Sequence, residues 1–212
     1  MNRERDLSDW ISEVHSTGLD IQNRIIYLLE KEDVDSPGVD FRMLQNFMKN
    51  MRILELDNKD APITIYTQTQ GGCWDSGMGI YDMIKMSKCK TTMIACGQLC
   101  SMGTIIIQAA TKRVIMPNCS FMCHYGSTSL SGEYLSAQNY ASIDRDNMQT
   151  MVGIYADRCF KTGRFFKERS YNLSKVKTYI KRKMKDGDWY MNAEQALEYG
   201  FVDYVYSRSV KT

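Results

Sequence analysis

The chain has 212 residues, enough for one well-cored α/β domain and too few for two of ordinary size. Apolar residues make up 43% and charged residues 25%, globular proportions that argue against a disordered, collagenous or coiled-coil chain. With 27 basic against 25 acidic residues the net charge is +2, so no whole-chain field draws the protein to nucleic acid or membrane.

The first twenty residues are polar, with one short helix expected behind a Ser8 cap and carrying Trp10, Ile11 and Val14. Arg24 to Leu29 reads as a buried strand. Ser36-Pro37 is a helix start, with Phe41, Leu44, Phe47, Met48 and Met51 at helical spacing behind it. Pro62 to Thr67 is a strand ending at Gly71-Gly72, and a helix through Met78, Tyr81, Met83 and Ile84 follows. Thr91 to Ala95 is the next strand and Ser101 to Ala110 the next helix; short strands then flank Pro117, Arg113 to Met116 and Cys119 to His124. This alternation predicts a largely parallel sheet with crossover helices. Gly126 to Gly132 is extended or loop-like. A long helix is expected from Glu133 to Lys161, with Met148, Val152, Tyr155 and Cys159 on one stripe that a lone subunit would leave partly uncovered. A second helix is expected over Phe166 to Met184, its basic residues reading as a solvated face rather than a nucleic-acid surface. The chain closes with a strand over Asp188 to Met191, a capped helix over Asn192 to Tyr199 with Gly200 past its end, and a strand over Val202 to Ser207.

Seven cysteines, an odd number, occur without a secretory signal in the Met1 to Asp6 region, and no window is apolar enough to span a bilayer. Reduced thiols in a cytosol-like compartment follow as the expectation. Cys119, Cys123 and His124 lie close in sequence, but the spacing is loose and no CxxC pair exists, so no metal or other cofactor is expected.

Two places offer unusual backbone geometry. At Gly71-Gly72, at a strand's carboxyl end, amide hydrogens can point into open space and hold a developing oxyanion; a tight strand-to-helix turn is the simpler use. Ser101 lies between Gly97 and Gly103 at a helix start, where it is either an N-cap or a nucleophile. Of the two histidines, His15 is in the polar N-terminal segment and His124 closes an apolar strand, as a core histidine or a base. A serine hydroxyl needs a base, and the base an orienting group; Asp188 or Asp186 would suit.

The run Gly71-Gly72, Gly77, Ile80-Tyr81-Asp82, then Gly97-Gln98, Ser101-Met102-Gly103, then Pro117-Asn118, Met122, His124, then Ala193, Ala196, Glu198-Tyr199-Gly200, Val202-Asp203 resembles ClpP, the serine peptidase chamber of the ATP-dependent Clp proteases. The likeness covers about residues 22 to 207, and the order Ser, His, Asp differs from that of α/β-hydrolases. It implies a crotonase-like spiral α/β fold of repeated β-β-α units. An axial or pore segment would occupy 1–21 and a peptidase domain 22–212, with a handle region at about 125–161. The resemblance assigns Ser101 as nucleophile, His124 as base and Asp188 as the orienting acid, with the Gly72 and Met102 amides as oxyanion hole. It makes Ser127, Thr128, Ser129 and Leu130 part of a strand that pairs with an extended substrate. Tyr66, Val114 and Tyr206 fall at the docking pocket for a Clp-type ATPase unfoldase.

By the same resemblance the chain is a homo-oligomer, a heptameric ring, acting in the cytoplasm or an organelle stroma or matrix on unfolded polypeptides, with neither nucleic acid nor membrane as partner. No GxxxxGK[ST] run is present, so ATP would be used by the partner. The chain departs from the family at Gly126 for a proline, at Thr128 and Ser129 for handle glycines, at Gly187 for a ring-joining arginine and at Leu99-Cys100 for an alanine pair. A double ring is therefore expected to stack more weakly, and the chain reads as a divergent, phage- or plastid-type copy. The rival readings are a catalytically degenerate ring subunit, an acyl-CoA enzyme of the crotonase group and a phage head-maturation peptidase.

Overall fold

A computed structural model describes residues 7–30, 38–127 and 133–207. In chain order the elements are α1 (Leu7–Thr17), β1 (Leu19–Asp20), β2 (Ile25–Leu29), α2 (Phe41–Asp57), β3 (Ile63–Thr69), α3 (Trp74–Met86), β4 (Thr91–Cys100), α4 (Met102–Ile106) with a 3-10 turn at Ile107–Ala109, β5 (Lys112–Ile115), β6 (Ser120–Cys123), α5 (Tyr134–Thr162), α6 (Arg164–Glu168), α7 (Leu173–Lys185), β7 (Trp189–Met191), α8 (Ala193–Tyr199) and β8 (Tyr204–Val205).

The expected parallel sheet is present. β2, β3, β4, β5 and β8 run parallel, and β1 adds antiparallel to β2. β4 is longer than its sequence pattern suggests, because it changes partners. Its first half pairs with β5, and Gln98 to Cys100 pairs with β6, to which β7 adds antiparallel. The alternating burial of Ile63, Ile65 and Thr67 in β3 puts one face of the sheet against α2, α3 and α4. Phe47, Met51 and Leu54 of α2 and Ile80 and Ile84 of α3 cover that face, each such side chain contributing about 1.5–3 kcal/mol when fully buried. Glycines set two close approaches: a Cβ at Gly77 would lie 2.2 Å from the Met102 side chain, and one at Gly103 would lie 2.4 Å from Thr69.

Several expectations need correction. The helix start at Ser36-Pro37 lies outside the described residues; α2 begins at Phe41, with the Asp40 side chain accepting from the Met43 amide. Ser8 lies inside α1 rather than at its cap. The single helix expected over 166–184 is two. Ser170 takes a left-handed φ of 51°, and Asn172 starts α7 afresh by accepting from the Lys175 amide. The aromatics of this region do not form an outward face: Phe166 is buried and packs with Phe165, Tyr171, Tyr179 and Tyr199. The stripe on α5 needs no second subunit, because Val152, Tyr155 and Cys159 are already buried within this chain and Met148 is half-buried. Toward its other end α5 exposes Tyr134, Leu135, Tyr140 and Ile143, and beside Cys159 it exposes Phe160.

Arg113, on β5, is fully buried and joins four parts of the fold. Its guanidinium donates to Asp203, to Gln108 Oε1 (2.7 Å), to the carbonyls of Gly200 (3.0 Å) and Phe201 (3.2 Å), and to Thr162 Oγ1 (3.2 Å). All seven cysteines are unpaired. No helix among the described residues is long and apolar enough to cross a membrane.

Candidate active site

Three strand ends meet at one rung of the sheet. The pair Cys100 with Met122 between β4 and β6, and Cys123 with Trp189 between β6 and β7, places Ser101, His124 and Asp188 just past neighbouring register positions. The Ser101 amide donates to the Met122 carbonyl at 2.8 Å, which fixes the first two strands together at this point.

Ser101 ends β4 and starts α4 in a backbone conformation, φ 49° and ψ −121°, that residues with a Cβ rarely take. It is the N-cap by position, yet its side chain makes no cap bond. The hydroxyl is instead 2.7 Å from His124 Nε2. On the other side of the ring, Asp188 Oδ1 lies 3.3 Å from His124 Nδ1. A carboxylate there favours the tautomer protonated at Nδ1, leaving the Nε2 lone pair to the hydroxyl. Asp186 does not join this group; it is the exposed C-cap of α7, its amide donating to Arg182.

Gly71 and Gly72 face this pair. The Val39 amide donates to the Gly71 carbonyl and the Cys73 amide to the Val39 carbonyl, both at 2.7 Å. In an extended strand alternate residues point opposite ways, so the Gly72 N–H is turned away from Val39. A Cβ at Gly71 would lie 2.5 Å from Ser101 Cβ, so only glycine allows this approach. Met102 is the first residue of α4, where a backbone N–H has no partner within the helix. The Gly71-Gly72 turn and the start of α4 therefore flank Ser101.

The strained serine is braced from behind. Thr104 Oγ1 donates to the Ser101 carbonyl at 2.6 Å, and the Tyr155 hydroxyl lies 2.6 Å from Thr104 Oγ1. The Cys123 thiol completes this buried group at 3.7 Å from Thr104. Burial holds the Tyr155 hydroxyl well above its usual pKa and pushes the Cys123 thiol up to about 12, so both stay neutral donors. Sequence reading took Tyr155 as plain core and passed over Thr104; helical spacing marks a buried face but does not say that a hydroxyl on it has a polar partner.

A cleft of about 540 Å³ opens beside Ser101, lined among others by Gly72, Met102, His124, Ser127, Asp144 and Met148. Of the residues expected to pair with a substrate, Ser127 lines it, while Thr128, Ser129 and Leu130 lie outside the described residues. Tyr66 and Val114 do not line it; they lie in one lateral row of the sheet with Tyr27, Ile94 and Tyr204. The Tyr66 ring stacks on Tyr27, and burial raises its pKa, with smaller pushes from Tyr206 and Tyr27 beside it. His15 stands apart, on α1 beside a separate cavity. No group of three or more His, Cys, Asp or Glu able to hold a metal occurs among the described residues.

The ATP-dependent Clp protease proteolytic subunit 2 of Tropheryma whipplei (strain Twist) is 28% identical over 202 residues, covering 92% of this chain and 98% of that protein. The family model for Clp protease matches residues 20–209, nearly the whole chain, and on that extent the chain belongs to the Clp protease family.

Proposed function

We propose that this chain is a serine-type endopeptidase subunit that cleaves unfolded polypeptides. Ser101 attacks the scissile carbonyl while His124 takes its proton and later gives it to the leaving amine. Asp188 holds the imidazole in the working tautomer and steadies the imidazolium. The Gly72 and Met102 amides receive the oxyanion, at about 3 kcal/mol per donor. The observation that carries this reading is the 2.7 Å contact between His124 Nε2 and a serine hydroxyl that caps nothing, on a strained turn facing two glycines.

The wider reading is a ring-forming homo-oligomer, heptameric as its family resemblance implies, served by a Clp-type ATPase in the cytoplasm or an organelle equivalent. Exposed Tyr134, Leu135, Tyr140 and Ile143 support a partner along α5, and the row through Tyr66 and Val114, with Tyr206 beside it, supports a docking face. Gly187 and the Thr128-Ser129 pair replace residues that would strengthen the stacking of two rings, so weaker stacking is part of the reading. Native mass measurement across protein concentration tests assembly, and a stable monomer at micromolar concentration rejects the ring.

A fluorophosphonate probe tests the chemistry. It should label one serine, identified by peptide mapping as Ser101, and Ser101→Ala should abolish both labelling and cleavage of unfolded casein. Unchanged cleavage by Ser101→Ala rejects the assignment. Assembly without any labelling of the native protein would mark a degenerate subunit.

A further inference from the structure

The cleft beside Ser101 is unevenly lined. Met102 and Ile105 of α4 and Met151 of α5 are buried, and Met148 is half-buried. On α5, positions 144, 148 and 151 share one helical face, so the wall runs from thioethers to the half-buried carboxylate of Asp144. Asp144 is the only Asp, Glu, Lys or Arg among the described residues lining the cleft. No hydrogen bond or ion pair engages it among the described residues. A carboxylate in the same cleft as Ser101, otherwise uncharged, and without a cation of its own, is a recognition element for one.

We propose that Asp144 sets substrate preference. The cleft takes the side chain of the residue whose carbonyl Ser101 attacks, and it selects lysine or arginine there. This rests on Ser101 being the nucleophile. Lysine and arginine carry an apolar stem and a charged head, and they bury the first while keeping the second in polar company. The stem lies along Ile105 and along Met148 and Met151, the two unbranched thioethers adapting to it. The head meets the Asp144 carboxylate. A substrate glutamate at the same place is rejected by like charge. The cleft volume of about 540 Å³ leaves room for such a side chain and the backbone on either side.

The test uses three peptidyl diphenyl phosphonates that differ only in the side chain next to phosphorus: lysine, norleucine or glutamate. The second-order rate of labelling at Ser101 is read by intact mass, so a measurement needs neither a cleavable substrate nor an unfoldase. The native protein should react about tenfold faster with the lysine reagent than with norleucine, and slowest with glutamate. In Asp144→Asn the lysine-to-norleucine ratio should fall to near one, and in Asp144→Lys the order of lysine and glutamate should reverse. A ratio that is the same in the native protein and Asp144→Asn overturns the proposal, as does a native preference for norleucine. If none of the reagents and no fluorophosphonate labels Ser101, the peptidase reading itself falls and this one with it. Labelling without charge dependence removes only the role of Asp144.

Discussion

Removing the Asp203 carboxylate isolates the cost of one buried charge. Asp203 accepts from the Arg113 amide at 2.9 Å and from Nε at 3.0 Å, and pairs with Nη2. The Arg113 side chain is 0% exposed, so in Asp203→Ala its charge has only neutral oxygens left around it. Breaking a buried pair on one side costs about 3–5 kcal/mol. At roughly 3 °C per kcal/mol for a domain of this size, Tm should fall by about 10 °C. Arg113→Met should be milder. The Gly200 carbonyl keeps its bond from Thr162 (2.9 Å), the Phe201 carbonyl keeps its bond from Gln108 (3.1 Å), and the Asp203 side chain, 20% exposed, can take water. The double change Arg113→Met with Asp203→Leu should recover most of the loss, because no orphaned charge remains. Urea denaturation at one fixed protein concentration measures all three, with assembly held constant. A cost under about 1 kcal/mol for Asp203→Ala, or a larger cost for Arg113→Met than for Asp203→Ala, would show that the orphaned charge is not what destabilises the fold.

Asp188→Asn should lower turnover by up to about 10^4 through the wrong imidazole tautomer, while Asp186→Asn stays near the native rate; the reverse order in a peptide assay would reassign the acid. Gly71→Ala should cut kcat by about 10^2 or more, since its Cβ would displace the Ser101 side chain from 2.5 Å and its φ is +110°; near-native kcat would mean the glycine is not needed for the approach. Stability should also fall on the alkaline side. Burial raises Cys119 and Cys123 from 9.0 to about 12, so above pH 9 the unfolded chain loses protons that the folded chain keeps. Unfolding then gains about 1.4 kcal/mol per pH unit for each thiol until pH passes about 12. Replacing both by alanine should flatten that decline in denaturation curves between pH 9 and 11, and an unchanged slope would place the cause elsewhere.

The sequence made the alternation of strand and helix legible because β2 is a short apolar run, and because β3 and α3 carry apolar periods with Pro62 and Gly71-Gly72 at their bounds. Glycines and a strand end marked Ser101 and His124 as candidates, but an N-cap and a core histidine stayed open, and only the family resemblance separated them. The sequence could not show that β4 runs on to Cys100, since a strand that changes neighbours at Gly97 has glycine where a turn is expected. Nor could it show the break at Ser170, where one left-handed residue divides a pattern that is helical on both sides. The α5 stripe was legible as apolar but not by what covers it, because a period names a face and not its partner. Asp144 went unnoticed for a similar reason: a carboxylate on a polar helix reads as solvated until the fold sets that turn beside the serine.

β7 is only three residues long, and among the described residues it is paired along one edge, to β6. Its grip comes from Trp189, held against Tyr179, Tyr199 and Phe201, and from the buried Met191. Asp188 stands one residue beyond that anchor, and Gly187 behind it takes a φ of +129° with nothing near its missing Cβ. A local opening that freed the indole would therefore uncouple the acid from His124 while β4 kept Ser101 in place. Amide exchange should divide accordingly, with Trp189 to Met191 exchanging through small fluctuations and the centre of β4 only on global unfolding. The fraction of molecules with all three groups aligned then becomes an equilibrium quantity, set by how firmly one tryptophan ring is held.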